Sequence, residues 1–308
     1  MRILVTGGSG YLGHAVVRAL ETRGHTPVVF ARTSTRAAQP GRTCIDGDVR
    51  DPASLDRAAA GCDAICHTAA LVALWRPRRA DFDDVNVAGL ANVIDAGRRA
   101  GVSKIVYTST FLALPARDAL QPANDYHRTK RAALDLASRA TAEGAPIVVL
   151  YPGVIYGPGP PTEGNFVGRL LRDHLAGRLP GLIGASRRWS FTFIDDVAAG
   201  HALAVERAVP GTSYALGGEN VLQIRLFEIV RDLTGRKLPR RIPRPVAWAV
   251  AAIDEVQARV RGVAPQITRG TVRILDHDWI LDSTAARRDL DYAVRPLTGG
   301  VEETLASL

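Results

Sequence analysis

Apolar and polar positions in the first half of the chain follow two alternating periods. Arg2–Thr6 is a short apolar run ending in a glycine loop. Tyr11–Arg23 then places apolar residues at helical spacing and stops at Gly24, a residue suited to a left-handed C-cap. Pro27–Ala31 reads as a strand, Asp51–Ala60 as a helix with Asp51 at its N-cap and Pro52 in its first position, and Asp63–His67 as a strand. A long helix over Asp83–Ala100 ends at Gly101, followed by a strand at Lys104–Ser109, a helix at Asp125–Ala142 and a strand at Pro146–Tyr151. Strands separated by single helices predict an α/β fold, a doubly wound parallel sheet with helices on both faces.

The pattern changes after Tyr151. Pro152, Gly153, Gly157, Pro158, Gly159, Pro160 and Pro161 make a breaker-rich loop. Helices are expected at Phe166–Leu175, Val197–Ala208 and Leu226–Thr234, a strand at Ser213–Leu216, and a strongly apolar helix at Pro245–Val260. The expected organisation is a first region over residues 1–152, to which residues 190–216 return. A smaller α/β substrate-binding region is then built from residues 153–189 and 217–308.

Composition narrows the class. A hydrophobic content of 46% over 308 residues supports a buried core rather than disorder, and the apolar runs are too short to span a bilayer. Met1-Arg2 leads directly into a strand-like run without the layout of a signal peptide, and Cys44, Cys62 and Cys66 are sparse and odd in number. No second Cys or His pair completes a zinc site with Cys62 and Cys66, so no metal is expected, and the thiols read as reduced groups of a cytoplasmic protein. The net charge of +8 comes from scattered arginines without a recognition motif, which argues against nucleic acid. They form either a solvated surface or an attraction for an acidic ligand or anionic lipid.

Gly7, Gly10 and Gly13 in Thr6-Gly7-Gly8-Ser9-Gly10-Tyr11-Leu12-Gly13 follow a strand and open a helix. Glycine there permits a tight turn, close approach to a pyrophosphate and close helix–strand packing, while the helix start at Tyr11 and Leu12 offers free N–H groups to phosphate. This combination is a dinucleotide-binding signature. An acid at the end of the second strand would select NAD; here Arg32 stands there, with Arg36 near enough to assist. That favours NADP, although Arg32 stacked on adenine would leave NAD usable. Asp48-Val49 ends the next strand region, where Asp48 either accepts from the adenine amino group or serves as a cap.

Tyr126 and Lys130 are four apart on a predicted helix, hence on one face. A nearby ammonium favours phenolate, so Tyr126 can act as general acid/base while Lys130 also holds the nicotinamide ribose. With Gly47-Asp48-Val49-Arg50-Asp51, His67-Thr68-Ala69-Ala70, Val85-Asn86-Val87-Ala88-Gly89, Tyr107-Thr108-Ser109-Thr110 and Tyr151-Pro152-Gly153-Val154-Ile155-Tyr156-Gly157, the sequence resembles the extended short-chain dehydrogenase/reductase superfamily of NAD-dependent epimerase/dehydratase type. Ala69-Ala70-Leu71-Val72, Trp75, Gly177-Arg178-Leu179-Pro180-Gly181 and the Trp279 segment are most similar to dihydroflavonol-reductase-like, farnesol-dehydrogenase-like and hopanoid-associated members.

The resemblance implies a Rossmann fold and residue roles. Thr110 polarises the reacting oxygen with Tyr126 and Lys130. Ser109, Thr68, Ala69 and Ala70 lie along the cofactor, Tyr151, Pro152, Gly153 and Val154 border the nicotinamide, and Asn86 supports the central helix or a water relay. Asp195-Asp196 corresponds to a late acidic pair that is more often structural, and Phe193 stands where many relatives have His. A homodimer through helices such as Asp83–Ala100 and Asp125–Ala142 is usual for the superfamily.

Two departures matter. Thr110 and Tyr126 are only sixteen positions apart, leaving Phe111–Asn124 as a short loop, and Phe111-Leu112 stand where a dehydratase would carry Asp-Glu. Leu71, Trp75, Phe111 and Phe166, with Leu112, Leu114, Trp248 and Trp279, suit an apolar substrate such as an isoprenoid, sterol-like or aromatic alcohol or carbonyl, unless they are core. The expected activity is hydride transfer between nicotinamide and such a substrate. The alternatives are epimerisation of a sugar derivative with retained cofactor, or a non-catalytic NADP-binding redox sensor. The helix Pro245–Val260, flanked by Arg244 and Arg259, either rests on a membrane surface or packs on its own domain.

Overall fold

The computed structural model describes the chain apart from Leu74, residues 115–121, Pro161 and the side chain of Arg36. The proposed assistance from Arg36 and the middle of the loop after Thr110 therefore lie outside the described residues. The strands are β1 (Arg2–Thr6), β2 (Thr26–Ala31), β3 (Thr43–Asp46), β4 (Ala64–His67), β5 (Lys104–Thr108), β6 (Ile147–Pro152), β7 (Val154–Tyr156), β8 (Leu182–Ile183), β9 (Arg188–Phe193), β10 (Ser213–Leu216), β11 (Glu219–Leu222) and β12 (Arg241–Ile242). The helices are α1 (Tyr11–Thr22), α2 (Pro52–Ala59), α3 (Ala80–Asp83), α4 (Gly89–Ala100), α5 (Asp125–Ala142), α6 (Phe166–Leu175), α7 (Ile194–Arg207), α8 (Gln223–Thr234), α9 (Arg244–Arg261), α10 (Arg269–Leu275), α11 (Thr284–Leu290) and α12 (Leu297–Ala306).

Seven strands form one sheet in the order β10-β6-β5-β4-β1-β2-β3, every pair parallel. The order reverses between β1 and β4, which opens a crevice at their carboxyl ends, the general binding position of a doubly wound sheet. Because both faces are covered, the strands are apolar on both sides. Ile3 and Val5 enter one core layer with α1 and α7, whereas Leu4 enters the other with α2, α4 and α5. Each such fully buried aliphatic side chain contributes about 1.5–3 kcal/mol relative to exposure. β10 returns to the sheet edge beside β6, with Ser213 opposite Val149 and Leu216 opposite Pro152.

Local chemistry sets the helix limits. Asp51 caps α2 by accepting from Ala53 N–H, with Pro52 at the start. Asn124 caps α5 by accepting from His127 N–H at 2.8 Å, and Gly101 ends α4 at φ 68°. The helix expected from Asp83 instead begins at Ala80 and passes through a π turn at Asp84–Ala88. Its cause is tertiary: Asn86 accepts from Leu71 N–H at 2.8 Å and donates to Thr129 Oγ1 at 3.0 Å, which holds that turn of helix against the loop after β4 and against α5.

The breaker-rich segment after Tyr151 is not wholly loop. β7 lies within it, pairing in parallel with β9, which in turn pairs antiparallel with β11. β8 and β12 form a separate parallel pair. Trp189 and Trp279 also make an isolated bridge, so the chain after α10 is tied to β9. No helix among the described residues is long and apolar enough to cross a membrane.

Candidate active site

The site is built at the carboxyl ends of β1, β4, β5 and β6. After β1 the chain turns at Gly7, whose φ is 73°, and enters α1 through Gly10. A Cβ on Gly7 would lie 2.8 Å from the Ala69 backbone, and one on Gly13 would lie 2.1 Å from the Gly7 carbonyl oxygen. Both positions therefore require glycine for close packing. Gly10 brings no side chain to cap α1, and the first turn carries no acidic residue. The start of α1 thus presents N–H groups and partial positive charge without an internal anion, which fits the donor set needed by a dinucleotide diphosphate.

Thr68 donates its hydroxyl to Thr6 carbonyl at 2.7 Å, fixing the loop after β4 beside the glycine turn. His67, buried behind it, bonds Thr6 Oγ1 through Nδ1 at 2.7 Å and stacks on Tyr107. Burial, reinforced by Lys130, pushes the His67 pKa down to about 3, so this imidazole is neutral. Arg32 is exposed just past β2. Asp48 is not free to meet a ligand unaided: its carboxylate forms a fork with Arg50 at 2.6 and 3.0 Å, and this bond chiefly holds its pKa below the usual range. Val49 is buried beneath α4, against Gly89.

β5 delivers three consecutive hydroxyls, at Thr108, Ser109 and Thr110. The Tyr126 phenol lies beside the Thr110 side chain. Burial raises the Tyr126 pKa to about 12, opposed by the neighbouring Thr110 hydroxyl. Lys130, one turn further along α5, donates to Thr108 carbonyl at 2.7 Å and sits 4.7 Å above the centre of the Tyr107 ring. Burial brings its pKa down to about 7. Ser109 points to the other side from Thr110; its hydroxyl and that of Tyr107 are buried side by side without a bond of good geometry. Tyr126, Thr110 and Lys130 are thus together, and Ser109 is a neighbour rather than a partner of the phenol.

Further residues hold this arrangement and were not singled out from sequence. His127, kept neutral by burial with a pKa near 4, accepts from Ala123 N–H at 3.2 Å and lies beside the Leu112 backbone. It clamps the short turn after Thr110 to the start of α5. His201 Nδ1 bonds the Val197 carbonyl at 2.7 Å, which leaves Nε2 to accept from Thr108 Oγ1 at 2.8 Å. His127 has a sequence signal, since it lies three positions after a capping Asn; His201 has none, because its partner is 93 positions away.

Aromatic rings gather around the residues that follow Thr110 and Tyr126 in the chain. Phe111 meets Trp279 edge-on at 5.3 Å, Trp279 meets His127 at 6.5 Å, and Phe166 lies 6.5 Å from Trp189. Phe111, Phe166, Leu71 and Trp75 are all partly buried, and Phe111 and Phe166 pack against the main core. Leu112 is core, and Trp248 packs with α9 and α10 in a separate small cluster. Arg76 pairs with Glu163 at 2.9 Å, joining the loop after β4 to the approach of α6. On the far side, Gly153 packs against Ser190 carbonyl, where a Cβ would lie 2.5 Å away, and Val154 is buried. The late acids are structural: Asp195 pairs with Arg18 at 3.0 Å and Asp196 accepts from Arg295 N–H. Phe193 packs edge-on against Tyr156 and beneath the Arg295 guanidinium.

A doubly wound parallel sheet with a glycine turn at its switch point and a Thr–Tyr–Lys group at the end of β5 defines a nicotinamide-dependent enzyme of the extended short-chain dehydrogenase/reductase class. The model of the NAD dependent epimerase/dehydratase family matches residues 3–217, and the chain belongs to that family. It is 29% identical to Sterol demethylase protein B of Methylococcus capsulatus, over 94% of this chain and 93% of that protein. It is 32% identical to a 2-alkyl-3-oxoalkanoate reductase of Stenotrophomonas maltophilia, over 95% and 94% respectively. Its fold is similar to the crystal structure of gox2253, with a TM-score of 0.82 and 31% identity, covering 99% of this chain and 97% of that one.

Proposed function

We propose that the protein is an oxidoreductase that moves hydride between NADP and an apolar secondary alcohol or ketone, with Tyr126 as its general acid/base. The observation that carries this reading is the placing of the Tyr126 phenol beside the Thr110 side chain at the end of β5, where Lys130 of the same helix bonds the Thr108 carbonyl and Phe111, next in the chain, meets Trp279. The bound nicotinamide supplies the hydride chemistry. The start of α1 at Gly10, Tyr11 and Leu12 receives the diphosphate, while Thr68, Ala69, Ala70 and Ser109 line its path. Arg32 recognises the additional phosphate of NADP through a guanidinium fork, and Asp48 with Val49 borders the adenine. Lys130 holds the ribose and places an ammonium beside the phenol. Tyr151, Pro152, Gly153 and Val154 border the nicotinamide, and residues 153–189 with 217–308 form the substrate side.

During reduction Tyr126 gives its proton to the carbonyl oxygen, and Thr110 donates to the same oxygen as negative charge develops. Oxidation runs these transfers in reverse. The aromatic residues offer stacking and apolar contact, with no cluster of amides suited to a sugar among the described residues beside them. The names of the two relatives, one concerned with a sterol and one with an alkyl oxoalkanoate, support an apolar substrate.

The test is steady-state turnover of NADPH with a panel of apolar ketones. Tyr126→Phe is expected to lower kcat by about 10²–10⁴-fold while cofactor still binds. Equal turnover by wild type and Tyr126→Phe would overturn the assignment, and substrate conversion without net change in NADPH absorbance would instead identify an epimerase. Arg32→Glu should reverse the preference from NADPH towards NADH, read as the ratio of the two kcat/KM values.

A further inference from the structure

We propose that the outer face of α9 docks the protein on an anionic lipid bilayer. A surface helix ordinarily turns its branched aliphatic residues inward and polar residues outward. α9 does the reverse. Its most buried positions are small, with Ala247 and Ala251 set against Ile183 and Val272 and Trp248 packed at their edge. Its outward positions are Val246, Val250, Ile253, Val256 and Val260, between 52% and 81% exposed. At about 100° per residue these five fall within about 120° of arc, which also holds Ala249 and Gln257, so they form a predominantly apolar stripe. A contiguous apolar stripe of this kind on a surface is an interaction site rather than ordinary surface.

Charge identifies the occupant. Lys237, Arg240 and Arg241 precede the helix, and Arg259 and Arg261 end it; none has a carboxylate within salt-bridge distance among the described residues. The two acids of the helix are turned away from the stripe, since Asp254 accepts from Ile267 N–H at 2.9 Å and Glu255 from Arg269 N–H at 2.7 Å. The stripe is therefore apolar with a cationic border, the pattern of a helix lying in a membrane interface. A second copy is the poorer occupant, because a twofold contact would set the same cations against one another. As no described helix can cross a bilayer, the contact is peripheral. The docked face also backs onto the site. α10 packs on α9, and its Gly270 lies so close to Ala123 carbonyl that a Cβ would stand 1.9 Å from it, just before the cap of α5.

The test is flotation of the full chain with phosphatidylcholine vesicles containing roughly 30% phosphatidylglycerol. Partition is expected to fall at least about tenfold on pure phosphatidylcholine, or when salt is raised to about 0.5 M. Val250→Ser with Ile253→Ser should weaken it by about tenfold or more, with unchanged melting temperature and unchanged turnover of a water-soluble carbonyl. Arg259→Gln with Arg261→Gln, which leaves the apolar stripe intact, should also weaken it. Failure of the wild type to float with anionic vesicles overturns the proposal, as does equal flotation of either double variant. A dimer that dissociates on the serine substitutions without any vesicle binding would show that another copy covers this face.

Discussion

At the residue scale, Lys130 shows how burial and function compete. It has one carbonyl acceptor, Thr108, and the face of Tyr107, and no carboxylate partner among the described residues. Its ammonium is therefore destabilised, and the folded pKa of about 7 lies below the unfolded value of about 10.4. Below about pH 7 both states are protonated and the folded protein carries the whole penalty. Between about pH 7 and 10.4 the unfolded chain binds more protons, so stability from this group rises with pH. Lys130→Met should raise the melting temperature of the ligand-free protein at pH 7 and flatten its rise across that window, as read by thermal denaturation at several pH values. Tyr126 and Lys130 were legible in sequence from their spacing and from the glycine turn upstream. The Tyr107 platform under Lys130 was not, since it depends on β5 and α5 being stacked.

Among the elements, those with local signals were read closely. α5 begins and ends where its pattern predicts because Asn124 caps it, and α6 and β10 also match their expected limits. The π turn in the α3–α4 helix could not be read, because its cause is the bond from Asn86 to Thr129, 43 positions away. β9 did carry a signal that went unused: Trp189, Phe191 and Phe193 alternate with Ser190 and Thr192, a strand period. The pairing of α1 with α7 is another tertiary feature. Arg23 forms a fork with Glu206 at 2.7 and 2.6 Å, and His25 adds a contact at 3.0 Å. The Arg23 bond chiefly holds the Glu206 pKa down to about 2. Because the folded value is depressed, this stabilisation is present above about pH 4.3 and is lost as pH falls towards 2. The pair is partly solvated, so Glu206→Gln should cost only about 1 kcal/mol at pH 7 and nothing near pH 2, measured by urea denaturation.

On the scale of the molecule, the fold class was open to inspection because alternating strands and helices admit few arrangements. The contact between the glycine turn and the segment after β7 was not, and one hydroxyl contributes to it. Tyr11, the first residue of α1, donates to the Gly157 carbonyl at 3.1 Å. Gly159, at φ 144°, lies so close to the same ring that a Cβ would stand 2.7 Å from it. The helix start proposed to receive the dinucleotide and the turn that leads towards the proposed substrate side are therefore held together. Binding free energies linked in this way are reciprocal. Whatever factor a bound dinucleotide adds to the affinity for an apolar ketone, the ketone must add to the affinity for the dinucleotide. Titrations in either order of addition should return the same cooperativity factor, and Tyr11→Phe should bring that factor towards one while leaving each separate affinity nearly unchanged.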